Sequence, residues 1–200
     1  MGETESPGRV ADAEFGALTD TFPAKFREKS KKKALVYERG LVLIARSGKT
    51  RRFPFGDVRV QQEIVEKRLY GFRASTAYRF VLTGPDGHKK VLTNFGYRRI
   101  DELGRTIQGH VVRAQLPGVL AGLQRGEQIE FGKLCLSKDG IGTRRRLLAW
   151  DEIGAVKFEE GYVVVAPREG RLNIAAAVKA VPNVFVLLAV VEQVMDARGR

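Results

Sequence analysis

The residues of this chain that could do covalent or metal chemistry are few and scattered. Its two histidines, His88 and His110, have no companion at metal-ligand spacing. The single cysteine, Cys135, sits between Leu134 and Leu136, where a small buried hydrophobe is expected. Asp57 and Glu152 stand at matching places in two copies of a repeat, so they read as acceptors for turn amides and not as an acid–base pair. Ser47-Gly48-Lys49-Thr50 imitates the end of a phosphate-binding loop. Such a loop needs a glycine five residues before Gly48, where this chain has Leu43, and a helix after it, where this chain has a strand pattern. No nucleophile has a base beside it. The sequence predicts a non-enzymatic protein with no cofactor and no metal site.

Clustered cations are the remaining lead. Arg46, Lys49, Arg51 and Arg52 lie on or beside one predicted turn. A turn can present several cations to one phosphate group or anionic surface, with arginine offering paired hydrogen bonds. Polar turns also collect Lys and Arg simply for solvation, and Phe53 and Phe55 take alternate positions where further cations would sharpen head-group selectivity. Arg144-Arg145-Arg146 is the equivalent stretch of the second copy. Neighbours in a strand point to opposite faces, so at most two of these three share a side, and the stretch reads as a solvated strand edge. Tyr70-Gly71-Phe72-Arg73, near Tyr78 and Phe80, hints at a stacking platform for single-stranded nucleic acid, but Tyr78 and Phe80 alternate as core residues do.

The overall charge of +12 is unevenly placed. Residues 34–126 hold 17 Lys and Arg against 7 Asp and Glu, whereas the segments before and after are each close to balance. A domain so biased attracts anionic lipid, nucleic acid or acidic protein. With 44% hydrophobic and 29% charged residues the composition is that of a globular protein. One cysteine excludes an internal disulfide and fits a reducing compartment. The first 33 residues contain no apolar signal region, and the longest apolar run, 184–191, is far short of a membrane span. The expected location is cytoplasmic, peripheral to the inner face of the membrane where the protein meets lipid.

The elements that would position these residues are written twice. Strand, turn glycine, strand, basic turn and an aromatic-plus-acid element run through residues 35–58, ending in Phe55-Gly56-Asp57-Val58. The same order runs through 134–153, with Gly140 in the turn and Trp150-Asp151-Glu152-Ile153 at the end. Residues 1–12 read as a mobile tail. Phe15, Leu18, Phe22 and Phe26 fall at helical spacing, which predicts a short lead-in helix over 13–26 despite Pro23. Strands follow, with a turn at Pro85-Asp86-Gly87. A helix then carries the stripe Ile100, Leu103, Ile107 and Val111. A second lead-in helix is expected over 117–124, opened by Pro117 and stopped by Gly126. The second set of strands ends in a helix with the stripe Val184, Leu188, Val191 and Met195, for which Asn183 is the expected N-cap.

In this arrangement the chain resembles bacterial proteins of unassigned function that carry two pleckstrin-homology-like (PH-like) domains. The resemblance rests on residues 34–43, Gly126-Glu127, 131–134, Trp150-Asp151-Glu152-Ile153 and Val181-Pro182-Asn183, and it covers roughly residues 15–195. It implies a mainly β (α+β) fold of two tandem PH-like β-barrels, each closed by a C-terminal helix, and it implies no reaction. The expected domains are 13–113, basic and with its lead-in helix, and 114–200. The expected role is a binding or scaffold module for protein partners or an anionic lipid surface, with nucleic-acid binding through the basic first copy as the alternative.

Overall fold

The computed structural model describes residues 11–25, 32–69, 72–170 and 172–199, leaving the side chains of 11 and 67–74 outside that description. Its elements repeat in order. The first copy opens with β1 (Ala11–Asp12), β2 (Gly16–Pro23), β3 (Lys33–Tyr37), β4 (Gly40–Ile44) and β5 (Thr50–Pro54), which pair in sequence as one antiparallel sheet. A second sheet follows, made of β6 (Arg59–Leu69), β7 (Phe72–Thr83) and β8 (Lys89–Thr93), and then helix α1 (Ile100–Gln124). The second copy has a four-stranded sheet of β9 (Ile129–Phe131), β10 (Leu134–Leu136), β11 (Gly140–Thr143) and β12 (Arg146–Ala149). It continues with β13 (Ile153–Glu159), β14 (Tyr162–Pro167) and β15 (Ile174–Ala177), a single 3-10 turn at Val178–Ala180, and helix α2 (Val184–Ala197).

The repeated aromatic-plus-acid elements are the corners where the chain leaves one sheet for the next. After β5 the amides of Asp57 and Val58 both donate to the carbonyl of Pro54, and after β12 the Glu152 amide donates to Ala149. Phe55 and Val58 at the first corner, and Trp150 and Ile153 at the second, are all buried. Each corner is thus pinned by apolar burial on both sides of a tight turn. The Glu152 carboxylate also accepts from the Ala149 amide at 3.0 Å, the turn-amide role expected of it.

These corners overturn the expected barrels. The two copies form four separate small sheets, and none closes on itself. A barrel requires its last strand to pair with its first. Here the turn after β5 and the turn after β12 redirect the chain, so β5 does not pair with β6, nor β12 with β13. The fold is mainly β, with two α-helices among the described residues, not two closed PH-like barrels.

The lead-in helix over 13–26 is also corrected. Residues 16–23 are strand β2, and the helical spacing of its apolar residues comes from a β-bulge between Leu18 and Asp20 in its pairing with β3. The extra residue reverses which face follows. Leu18 packs outward with Phe15, Tyr37 and Val42, while Phe22 enters the main core. Phe26 and residues 1–10 of the expected tail lie outside the described residues, and Ala11 and Asp12, the last two of that tail, form β1.

The second lead-in helix is the C-terminal part of α1, which runs unbroken through position 113/114 with Pro117 inside it. Proline removes the hydrogen bond to the carbonyl four residues earlier, that of Arg113, and Arg113 is exposed, so water can satisfy it. The expected stripe of α1 is correct: Ile100, Leu103, Ile107 and Val111 are all buried. In α2 the buried face is Val184, Val186, Leu187, Val190 and Val191, so Leu188 and Met195 are only partly covered. One continuous core runs from Phe22 in the first copy to Val191 in the second, with both helices inside it.

Candidate functional site

Period-two alternation decides where the basic turn points. On β5, Phe53 lies in the main core, so Arg51, two residues earlier, leaves the sheet on that same side and Arg52 on the other. The β4–β5 turn is closed by the Ala45 amide to the Lys49 carbonyl at 2.8 Å, with Gly48 at φ 84°, a conformation that suits glycine. This places Arg46, Ser47, Lys49 and Arg51 along one wall of an open cleft of 430 Å³. The opposite wall is the β7–β8 turn, with His88, Lys89 and Lys90, and Lys32 and Tyr97 complete the lining. The Pro85-Asp86-Gly87 turn forms as expected, with the Gly84 amide donating to the His88 carbonyl and the Asp86 carboxylate accepting from the His88 amide.

The lining holds six lysines and arginines and, among the described residues, no carboxylate. Lys32 registers that imbalance. Its pKa lies below the ordinary lysine value because it is partly buried, with Lys90 and then Arg46 adding repulsion. Its ammonium sits 4.6 Å from the centre of the Tyr97 ring, a cation–π contact at the floor of the cleft. Burial also pushes the Tyr97 hydroxyl up to about 12. An anion entering the cleft would relieve the mutual repulsion of these cations. The turn alone signalled four cations in the sequence. Lys32, Lys89 and Lys90 were not singled out: β3–β4 pairing, with Lys33 opposite Ile44, brings Lys32 to the turn, and the approach of the second sheet brings Lys89 and Lys90.

Arg52 is not part of the cleft. It bonds Asp12 and, at 3.0 Å, Glu14, and its guanidinium lies 4.7 Å from the centre of the Phe15 ring. The Arg52–Asp12 hydrogen bond depresses the Asp12 carboxyl and raises Arg52. Phe53 and Phe55, which left the turn short of further cations, are core residues. In the second copy Arg144 pairs with Glu130 at 3.0 Å, Arg145 is an exposed turn residue and Arg146 opens β12 half-buried. The three do not gather around one point.

Of the other singled-out residues, Ser47–Thr50 leads into strand β5 and so makes no phosphate-loop helix. Cys135 is buried in β10. His110 lies on α1 with its ring stacked on Phe55 at 4.9 Å between centres. Tyr70 and Gly71 fall outside the described residues. Among the described residues no cluster of His, Cys, Asp and Glu could hold a metal. A second opening, of 530 Å³, lies between the copies and is lined by Ile64, Val65, Phe158, Tyr162 and Phe185, with Glu63 and Glu160 against Lys179. Its charges are mixed and its walls apolar, so it offers nothing to an anion. No helix among the described residues is long and apolar enough to cross a membrane.

The repeat, its corners and its shared main core describe a duplicated, mainly β protein with a basic cleft. The chain belongs to a family of unknown function (DUF6585), whose pattern matches residues 25–200. The expected kinship with a family of unassigned function therefore holds, while its PH-like description gains no support. No curated protein and no solved structure matches the chain.

Proposed function

We propose that this protein is a non-catalytic binding module whose first copy docks on an anionic membrane surface through the cleft between the β4–β5 and β7–β8 turns. The supporting observation is the lining itself: six cations from three chain segments, with no described carboxylate among them. At roughly 1 kcal/mol for each basic residue beside an anionic bilayer, six supply at most about 6 kcal/mol. That corresponds to a dissociation constant of some tens of micromolar, roughly, which suits reversible peripheral attachment.

Co-sedimentation with phosphatidylcholine vesicles, with and without phosphatidylserine, tests this reading. Wild-type protein is expected to bind only the anionic vesicles, and Arg46, Lys49 and Arg51 changed together to alanine should abolish binding. Retention that ignores anionic lipid content would end the proposal. Duplex DNA is the comparison ligand. Tighter binding to DNA than to anionic vesicles, weakening steeply between about 50 and 200 mM salt, would favour the nucleic-acid alternative instead.

A further inference from the structure

The turn joining β8 to α1 carries an aromatic side chain that the fold holds out in solvent. Phe95 is 80% exposed, in a chain whose other described phenylalanines are mostly core. The turn around it is firmly built. The Gly96 amide donates to the Thr93 carbonyl at 2.8 Å. Asn94 accepts from the Tyr78 amide and donates to the Thr76 carbonyl at 3.0 Å, tying the turn to β7. Tyr97 bridges to Ala24, and the Arg98 amide donates to the Pro23 carbonyl at 3.1 Å. A large apolar group kept exposed on a pinned turn gains nothing for folding, since burying it would stabilise the chain.

Its neighbourhood supplies the occupant. A Cβ placed on Gly96 would lie 3.0 Å from the Lys32 ammonium, which lines the cationic cleft. Phe95 is the preceding residue, so its Cα stands within about 9 Å of that ammonium, given the spacing of adjacent Cα atoms. An exposed aromatic beside a cluster of cations fits a bilayer with anionic headgroups, where charge meets phosphate and the ring enters the headgroup–acyl boundary. A soluble polyanion without bases, such as polyphosphate, would use the cations and leave the ring in water.

We infer that Phe95 is a membrane-insertion anchor working with the cleft. This rests on the membrane reading proposed above and adds to it a residue, a depth and a distinction from soluble anions. The cations give attraction at a distance, and the ring makes contact only after the surface is reached.

The test uses the full chain, vesicles containing roughly a third phosphatidylserine, and inorganic polyphosphate as the soluble anion. Phe95→Ser should weaken vesicle binding about tenfold and leave polyphosphate binding unchanged. Phe95→Trp should show fluorescence quenched by lipids brominated on the acyl chain. The wild type, whose one tryptophan, Trp150, is buried, serves as the unquenched blank. If the wild type ignores anionic vesicles, the membrane reading itself is lost. If vesicles bind but Phe95→Ser binds as well and Phe95→Trp is unquenched, only the anchor is lost. Equal loss toward vesicles and polyphosphate would assign Phe95 to the anion cleft and also overturn insertion.

Discussion

Asn183 of the second copy forms a two-way hydrogen bond with Val60 of the first. Its amide donates to the Val60 carbonyl at 2.8 Å, and its side-chain oxygen accepts from the Val60 amide at 2.6 Å. Its side-chain nitrogen reaches the Val58 carbonyl at 3.0 Å and the Gln115 side-chain oxygen at 2.8 Å, while Gln115 itself donates to the Phe55 and Val58 carbonyls. The residue expected to cap α2 makes no side-chain cap bond and instead stitches the copies together. It does so with left-handed backbone, φ 51° and ψ 42°, which asparagine tolerates better than most residues.

Asn183→Ala should therefore destabilise the whole protein by roughly 3 kcal/mol, combining three lost side-chain bonds with left-handed strain. Asn183→Gly loses the same bonds without the strain and should be about 1 kcal/mol less harmful. Urea unfolding of the two variants checks this. Equal losses would show that the backbone conformation contributes nothing.

Arg51 and Arg52, adjacent in sequence, should behave as opposites. Arg51→Ala removes a cleft cation and should weaken binding to anionic vesicles severalfold with little change in melting temperature. Arg52→Ala releases Asp12, Glu14 and the Phe15 ring, and should leave vesicle binding unchanged. A loss of binding with Arg52→Ala equal to that with Arg51→Ala would refute the assignment of faces.

That pair also shows what was legible in the sequence. Strand alternation separates Arg51 from Arg52 without any coordinates, given only that Phe53 is core. The repeated strand–turn–strand–corner order and the buried stripe of α1 were readable for the same reason: each is a local pattern with a single partner face. The closure of sheets was not, because it depends on whether a corner turns the chain away from its neighbour. Phe15, Leu18 and Phe22 misled because a bulge lets a strand imitate helical spacing. Lys89 and Lys90 could join the cleft only through contacts between sheets, which no short-range pattern records.

Tyr97 gives the floor of the cleft an alkaline signature. Its ionisation is pushed up to about 12 by burial, above the ordinary tyrosine value. The stability this contributes is fully present below about pH 10 and is lost as pH rises through about 12, since only the unfolded chain ionises readily in that window. The contribution is on the order of 2 kcal/mol. Tyr97→Phe should flatten the stability profile there, and ultraviolet titration should find one of the five tyrosines ionising last. Five tyrosines titrating together would contradict it.

His110 gives an acid signature at the other side of the core. Burial lowers its pKa below the ordinary value of 6.5, Arg113 on the same helix adds repulsion, and a hydrogen bond with the Glu38 backbone acts against both. Its Nδ1 is buried with no partner among the described residues, and its ring stacks on Phe55. The neutral form is favoured, so stability is full above about pH 6.5 and declines as pH falls through the lowered value. His110→Phe should reduce that decline, and melting temperatures across this range check it.

Two glycines of α1 should respond to alanine with opposite signs. A Cβ on Gly104 would lie 2.1 Å from the Phe80 ring, which packs directly on the helix backbone there, whereas a Cβ on Gly109 meets nothing within 4 Å. Glycine inside a helix costs about 1 kcal/mol relative to alanine, so Gly109→Ala should stabilise by about that amount. At Gly104 the same gain is opposed by forcing Phe80 off the helix, an overpacking penalty of roughly 1–3 kcal/mol or more in a buried site. Gly104→Ala should be net destabilising, and shortening the ring with Phe80→Leu should recover part of the loss. Stabilisation by alanine at both positions would mean that α1 does not rest on β7 through this contact.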